Sequence, residues 1–221
     1  EQRGYITPQE FNLFADQAQM EIFQQYFYDL DQFERRLGSD GVGLLNDKIQ
    51  IFKHTPLNLV HGQTLPSDTY MIDDVWISWA HKDKKPIHHQ AGTTRRTTVQ
   101  RIDRNEVAGI KSMQFGKKLA FCYYVYKNRI YYIWDGPQPP WRVNLTKKPT
   151  TPKWTYVVDP TTQSALYDAG AIGLQDFQLH MSEENNLVVK ILLLAGISMK
   201  DMGLAQLAGQ KEASTKQQEK Q

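Results

Sequence analysis

The chain has 221 residues, 40% of them apolar and 23% charged, with a net charge of +2 and a single cysteine. That length suits one substantial core, or one core plus a smaller subdomain, and the composition is that of a globular chain. No run of about 18 uncharged apolar residues exists, so no membrane span is expected, and the lone Cys122 excludes an internal disulfide framework and a multi-cysteine zinc site.

Charge is unevenly distributed. Residues 1–80 carry 5 Lys/Arg against 12 Asp/Glu, residues 81–153 carry 16 against 4, and residues 154–221 carry 5 against 8. A basic middle between acidic ends has two natural readings: it faces nucleic acid, or it faces an acidic surface on a partner or a neighbouring copy. The sequence starts at Glu1 rather than Met, so preceding residues are expected.

In chain order, Thr7-Pro8-Gln9-Glu10 is a capping box with proline at the first helical position. Phe11, Phe14, Ala15, Ala18, Ile22, Tyr26, Leu30 and Phe33 follow at a near-helical period, and Gly38 is the natural stop. Phe23, Phe27 and Tyr28 add aromatic surface off that stripe, to be covered by a second subunit or by the same one. Residues 39–43 read as a loop and Ile49 to Lys53 as a short strand. The alternation at Val75, Ile77 and Trp79 marks a strand with one buried face. His81 to Arg96 reads as an exposed polar loop or hairpin tip, and Asp103 with Glu106 caps a brief helix through Ile110. Leu119 to Tyr126 and Ile130 to Trp134 form a hairpin across a three-residue loop, Lys127-Asn128-Arg129, and Trp141 to Thr146 adds a strand. Ser182 reads as the N-cap of a helix striped by Leu187, Val188, Ile191, Leu192 and Ala195 and ended by Gly196. A weaker helix through Met202, Ala205 and Leu207 precedes a polar tail, residues 209–221, too poor in apolar surface to order itself alone.

These elements predict an α+β fold. A long N-terminal helix packs with the C-terminal helices, and an antiparallel strand-rich segment is inserted between them. The expected parts are 1–48 (helical), 49–160 (strand-rich), 161–208 (helical) and 209–221 (flexible).

Chemistry is sparse. His54, His61, His81, His88, His89 and His180 match no strong metal spacing. No GxSxG, GxxxxGK[ST] or GxGxxG pattern occurs, and GSDGVG at 38–43 follows a helix and lacks the lysine of a phosphate loop. The expectation is a protein without a catalytic site, metal or cofactor. Basic residues of 81–153 interleaved with Tyr123, Tyr124, Tyr131 and Tyr132 give an alternative: a sequence-independent nucleic-acid-binding module.

Three segments carry a resemblance. The opening GYITPQEFNLFADQAQMEIFQQYFYDL, the lead Leu65-Pro66-Ser67-Asp68-Thr69-Tyr70, and the closing KPTTPKW, DFQLHMSEE and VVKILLLAGISMKD resemble structural neck proteins of podovirus-like and crAss-like tailed bacteriophages. Met181 stands where that family commonly has proline, and residues 80–118 match weakly. The resemblance implies a head-tail connector in the virion, assembled in the host cytoplasm as a ring of about twelve copies. Its partners would be neighbouring copies, the portal protein and other neck or tail proteins, with genomic DNA passing through the channel without sequence-specific binding. On that reading Phe23, Phe27, Tyr28, Leu204 and Leu207 are the candidate subunit or partner interface. Lys82, Lys84, Lys85, Arg95, Arg96 and Arg101 are the candidate contacts to channel DNA or an acidic partner.

Overall fold

In the computed structural model, residues 5–35, 42–80, 94–112, 121–133, 140–198 and 202–218 are described. The chain divides into two compact units: a helical one built from 1–51 and 149–221, and a strand-built one spanning 52–148.

The helical unit starts with α1 (Pro8–Arg35). Its capping box forms as the sequence predicts. The Thr7 amide donates to Glu10 Oε2 at 2.9 Å, and the Glu10 amide donates to Thr7 Oγ1 at 3.2 Å. α2 (Val42–Gln50) packs on α1, α4 (Glu184–Ser198) packs on α1, and α5 (Met202–Gln218) packs on α4. The expected packing of the N-terminal helix with the C-terminal helices therefore holds.

Several local expectations change. The segment read as a strand from Ile49 is the end of α2, and Lys53 forms only an isolated bridge to Thr146. Leu45, Ile49 and Phe52 are all buried, a helical spacing that outweighs the β-branched look of 49–51. α4 runs through Gly196 to Ser198, because Ala195 and Gly196 are buried in packing that holds the helix on. Its entry is a 3-10 turn, Met181–Glu183, capped by His180 rather than Ser182. Of its predicted stripe, Val188 and Leu192 are exposed while Val189 is buried. The polar tail is helical as far as Gln218, since Ala208 is buried and Glu212 reaches Lys190 on α4.

The returning chain is held to α1 by two polar side chains. Asn12 Nδ2 donates to the Trp154 carbonyl at 3.1 Å and Asn12 Oδ1 accepts from the Trp154 amide at 2.7 Å. Gln19, fully buried, donates to the Thr150 carbonyl and accepts from the Gln178 amide, both at 2.8 Å. Gln19→Leu is expected to cost about 2 kcal/mol, because it removes both bonds that tie the returning chain to α1 and leaves the Thr150 carbonyl and the Gln178 amide facing an apolar side chain. Chemical denaturation checks this, and a loss below about 0.5 kcal/mol would mean that water replaces the amide.

The second unit holds β1 (Leu57–Leu59), β2 (Gln63–Thr64), β3 (Thr69–Ala80), β4 (Thr94–Thr98), β5 (Gln100–Arg101), α3 (Val107–Ser112), β6 (Cys122–Tyr126), β7 (Arg129–Ile133) and β8 (Trp141–Lys147). Its two four-stranded sheets have the orders β1-β8-β3-β4 and β2-β7-β6-β5. The edge strands of one sheet continue as the edge strands of the other: β1 turns into β2 at Gly62, and β4 bends into β5 at the buried Val99. The two sheets are thus joined along both sides as a small barrel-like unit, with each edge strand paired on one side. Gly62 takes a left-handed φ of +75° with the Tyr131 ring 3.4 Å from where a Cβ would stand, so this corner requires glycine. Two register shifts between β3 and β8 supply the bend that a tight barrel needs.

β5 and β6 are parallel, and a parallel pair needs a crossover. The Asp103–Glu106 capping box opens that crossover and leads into α3, as the sequence predicts. The barrel interior is filled by Val75 and Ile77 from β3, Tyr123, Ile130 and Tyr132 from β6 and β7, and Trp141, Val143 and Leu145 from β8. Trp141 stacks on Tyr132 at 4.3 Å. Cys122 is buried beneath α3 with Ile102 and Ile133, and that burial raises its thiol pKa, which keeps it protonated and unreactive. The β6–β7 loop has two residues rather than three: Tyr126 pairs with Arg129, and Lys127 and Asn128 both adopt positive φ, the geometry of a type I′ turn.

A third, two-stranded sheet pairs β9 (Tyr156–Val158), inside the part read as strand-rich, with β10 (Ala165–Tyr167), inside the part read as helical.

Candidate assembly surfaces

Charge follows the folded units. Residues 52–148 hold 16 Lys/Arg against 7 Asp/Glu, a net of +9, and the remainder holds 10 against 17, a net of −7. The imbalance seen along the sequence is therefore a property of two bodies, one basic and one acidic.

On the barrel, β6 and β7 turn Tyr124, Tyr126, Arg129 and Tyr131 to the outer face, since Tyr123, Ile130 and Tyr132 point into the core and strand side chains alternate. Tyr124 and Tyr131 stack at 5.1 Å with an interplanar angle of 13°. The Arg104 guanidinium lies 3.7 Å from the Tyr126 ring centroid, with Lys127 Nζ at 5.4 Å from the same ring. On the other sheet, Arg96 covers the Trp76 ring at 4.5 Å. Among the described residues, Arg96, Arg101, Arg104, Lys127, Arg129 and Arg142 have no carboxylate within 4 Å. The barrel's one ion pair among those residues joins Lys147 to Asp68 at 2.8 Å, and the Lys147 ammonium holds the Asp68 carboxyl below the usual carboxylate range.

In the acidic unit two lysines are paired among the described residues. Lys48 Nζ donates to the buried Glu183 at 2.5 Å, tying α2 to the start of α4. Lys190 bridges Glu21 of α1 at 3.2 Å and Glu212 of α5 at 3.0 Å. Burial works to lower the Lys190 pKa, but the bonds from Glu212 and Glu21 outweigh it and hold it above the ordinary lysine value. A raised folded pKa contributes stability that is fully present below the unfolded pKa and is lost as pH rises through the folded one. Wild type is therefore expected to melt higher than Lys190→Met at neutral pH and to lose that advantage only above about pH 10.4. Circular-dichroism melts of both proteins across pH 7–11.5 check this; an advantage already lost by about pH 9 would contradict it.

Of the predicted interface residues, Phe23 is a correction: it is fully buried and packs edge-on to Phe27 at 5.1 Å, so the extra aromatic face of α1 is partly internal. Phe27 is half-buried, while Tyr28 and Leu207 are exposed at 61% and 68%. The Leu204 side chain lies outside the described residues, although its backbone is in α5. Of the predicted basic contacts, Arg96 and Arg101 are exposed on the barrel, Arg95 is described only through its backbone in β4, and Lys82, Lys84 and Lys85 lie outside the described residues. The fold adds Arg104, Lys127 and Arg129 around Tyr126, a grouping whose only sequence signal is the run Tyr126-Lys127-Asn128-Arg129.

Among the described residues no cluster of three or more His, Cys, Asp or Glu is placed to hold a metal ion, and no helix is long and apolar enough to cross a membrane. No protein-family model and no curated protein matches the chain.

Proposed function

We propose that this chain is a structural subunit of a tailed-bacteriophage neck, a head-tail connector that forms a ring with copies of itself beneath the portal. The observation that carries the reading is the division of charge between folded units, +9 on the barrel and −7 on the helical unit, with Lys147 to Asp68 the barrel's one ion pair among the described residues. A subunit that is basic in one body and acidic in the other is self-complementary in a head-to-tail sense, and head-to-tail contacts close into rings when the rotation allows. The resemblance of the opening and closing segments to neck proteins supplies the location. The exposed Tyr28 and Leu207 supply apolar contact area on the helical unit.

The nucleic-acid reading keeps only its electrostatic half. A stacking platform needs open ring faces, whereas Tyr124 and Tyr131 stack on each other and Arg104 covers Tyr126. The cations can still meet phosphates, which requires charge alone.

Negative-stain electron microscopy of the purified chain, alone and mixed with its portal, tests the proposal. Closed rings in either sample are the expected result. Monomers in both, together with salt-sensitive binding of the free chain to DNA, would replace it with the nucleic-acid reading.

A further inference from the structure

We infer that the β9–β10 hairpin of one copy, with the acidic loop that follows it, docks on the Tyr126 face of the barrel of a second copy. The inference rests on the assembly reading and names the two surfaces that would meet. The hairpin is the least self-sufficient part of the described chain. Two-stranded sheets are marginal in water unless something packs on them, and no third strand pairs with this one among the described residues. Val157 and Leu166 are directly opposed in the ladder and each 55% exposed. Beyond them, Ile172 is fully exposed. One strand face is backed by Trp154, which stacks on Tyr156 and Tyr167; the Val157–Leu166 face has no such backing.

The electrostatics select the occupant. From residue 154 to 189 the sequence contains five acidic residues and no Lys or Arg, while Lys153 bridges to Gln175 beside Asp176. Asp159, Asp168 and Asp176 satisfy their oxygens with local amides and hydroxyls, and none has a cation within 4 Å among the described residues. The barrel face has the opposite charge: Arg101, Arg104, Lys127 and Arg129 gather around the half-buried Tyr126 with no carboxylate within 4 Å among the described residues, although Asp103 and Glu106 flank Arg104 in its capping box. Anions without a paired cation on one body thus match cations without a paired carboxylate on the other. Because both surfaces belong to the same chain, the contact is heterologous, and each copy offers both halves.

A charge swap tests this on the full chain, with and without the portal. Arg104→Glu/Arg129→Glu and Asp168→Lys/Asp176→Lys are each expected to raise the concentration for half-assembly by at least about tenfold, as loss of a strong interfacial charge pair does. Mixing the two variants, or combining all four changes in one chain, is expected to restore rings, because every hairpin again meets a barrel of opposite sign. Val157→Ser/Leu166→Ser, which leaves the charges in place, is expected to weaken assembly without lowering the melting temperature. If wild type forms rings and the variants do so equally well, or if the mixture does not restore them, the docking is wrong while the connector reading stands. If wild type forms no ring in either sample, the connector reading falls, and the docking falls with it. Barrel variants that assemble normally but lose DNA retention would assign the cations to nucleic acid and overturn the inference.

Discussion

Phe23→Ala is expected to lower the stability of the helical unit by about 3–5 kcal/mol. Phe23 is fully buried in α1, next to the buried Ile22 and Tyr26 and edge-on to Phe27 at 5.1 Å. Truncating a buried phenylalanine loses its transfer free energy and leaves a cavity that neighbours fill only in part. Here the neighbours sit on a helix packed by both α2 and α4, so little collapse is open to them. Denaturation monitored by circular dichroism gives the number, and the barrel unit should keep its own transition. Tyr28→Ala is the control. That side chain is 61% exposed, so its loss should stay within about 0.5 kcal/mol of wild type while reducing ring formation. A Phe23→Ala loss near that of Tyr28→Ala would return Phe23 to the list of surface contacts.

The difference between those two residues marks where the sequence was legible. Local chemistry was readable: the Thr7–Glu10 and Asp103–Glu106 boxes depend on side chains three residues apart, and both form. The aromatic strands β6, β7 and β8 were readable by composition and alternation. Contacts set by distant residues were not. α1 packs against two helices and buries Ala15, Ala18, Gln19, Ile22, Phe23 and Tyr26, spaced i, i+3, i+4, i+7, i+8 and i+11, so Gln19 and Phe23 belong to the same stripe as the residues between them. Gln19 looks like a solvent-facing residue until Thr150 and Gln178 arrive from more than 130 positions away. The helical period of α2 rests on Leu45 and Ile49 together, and the segment from Ile49 alone carries only the β-branched signal of Ile49 and Ile51. Barrel closure rests on pairings such as Gln63 with Ile130, which leave no local trace. The basic face was legible as charge but not as a site, since only the fold sets Arg104 against Tyr126.

Lys48→Met is expected to cost about 3–5 kcal/mol, and adding Glu183→Leu should recover most of it. The Glu183 side chain is only 5% exposed, with one oxygen taking the Lys48 ammonium at 2.5 Å and the other accepting from Asn186 at 3.1 Å. Removing the lysine leaves a desolvated carboxylate whose remaining neutral donor cannot balance a full charge. Removing both groups takes the charge away and returns apolar volume, which is why buried pairs are often replaceable although neither half is removable alone. Lys48 also lies 5.7 Å from the Tyr26 ring, so a methionine of similar length keeps the stem packing and isolates the electrostatic part. Denaturation of the two single variants and the double variant forms a closed cycle whose coupling energy is the quantity of interest. A coupling above about 2 kcal/mol would establish that the pair acts as a desolvated unit locking α2 against the entry of α4. A coupling near zero would mean that water reaches Glu183, and α2 would then be held to the helical unit by Leu45 and Ile49 alone.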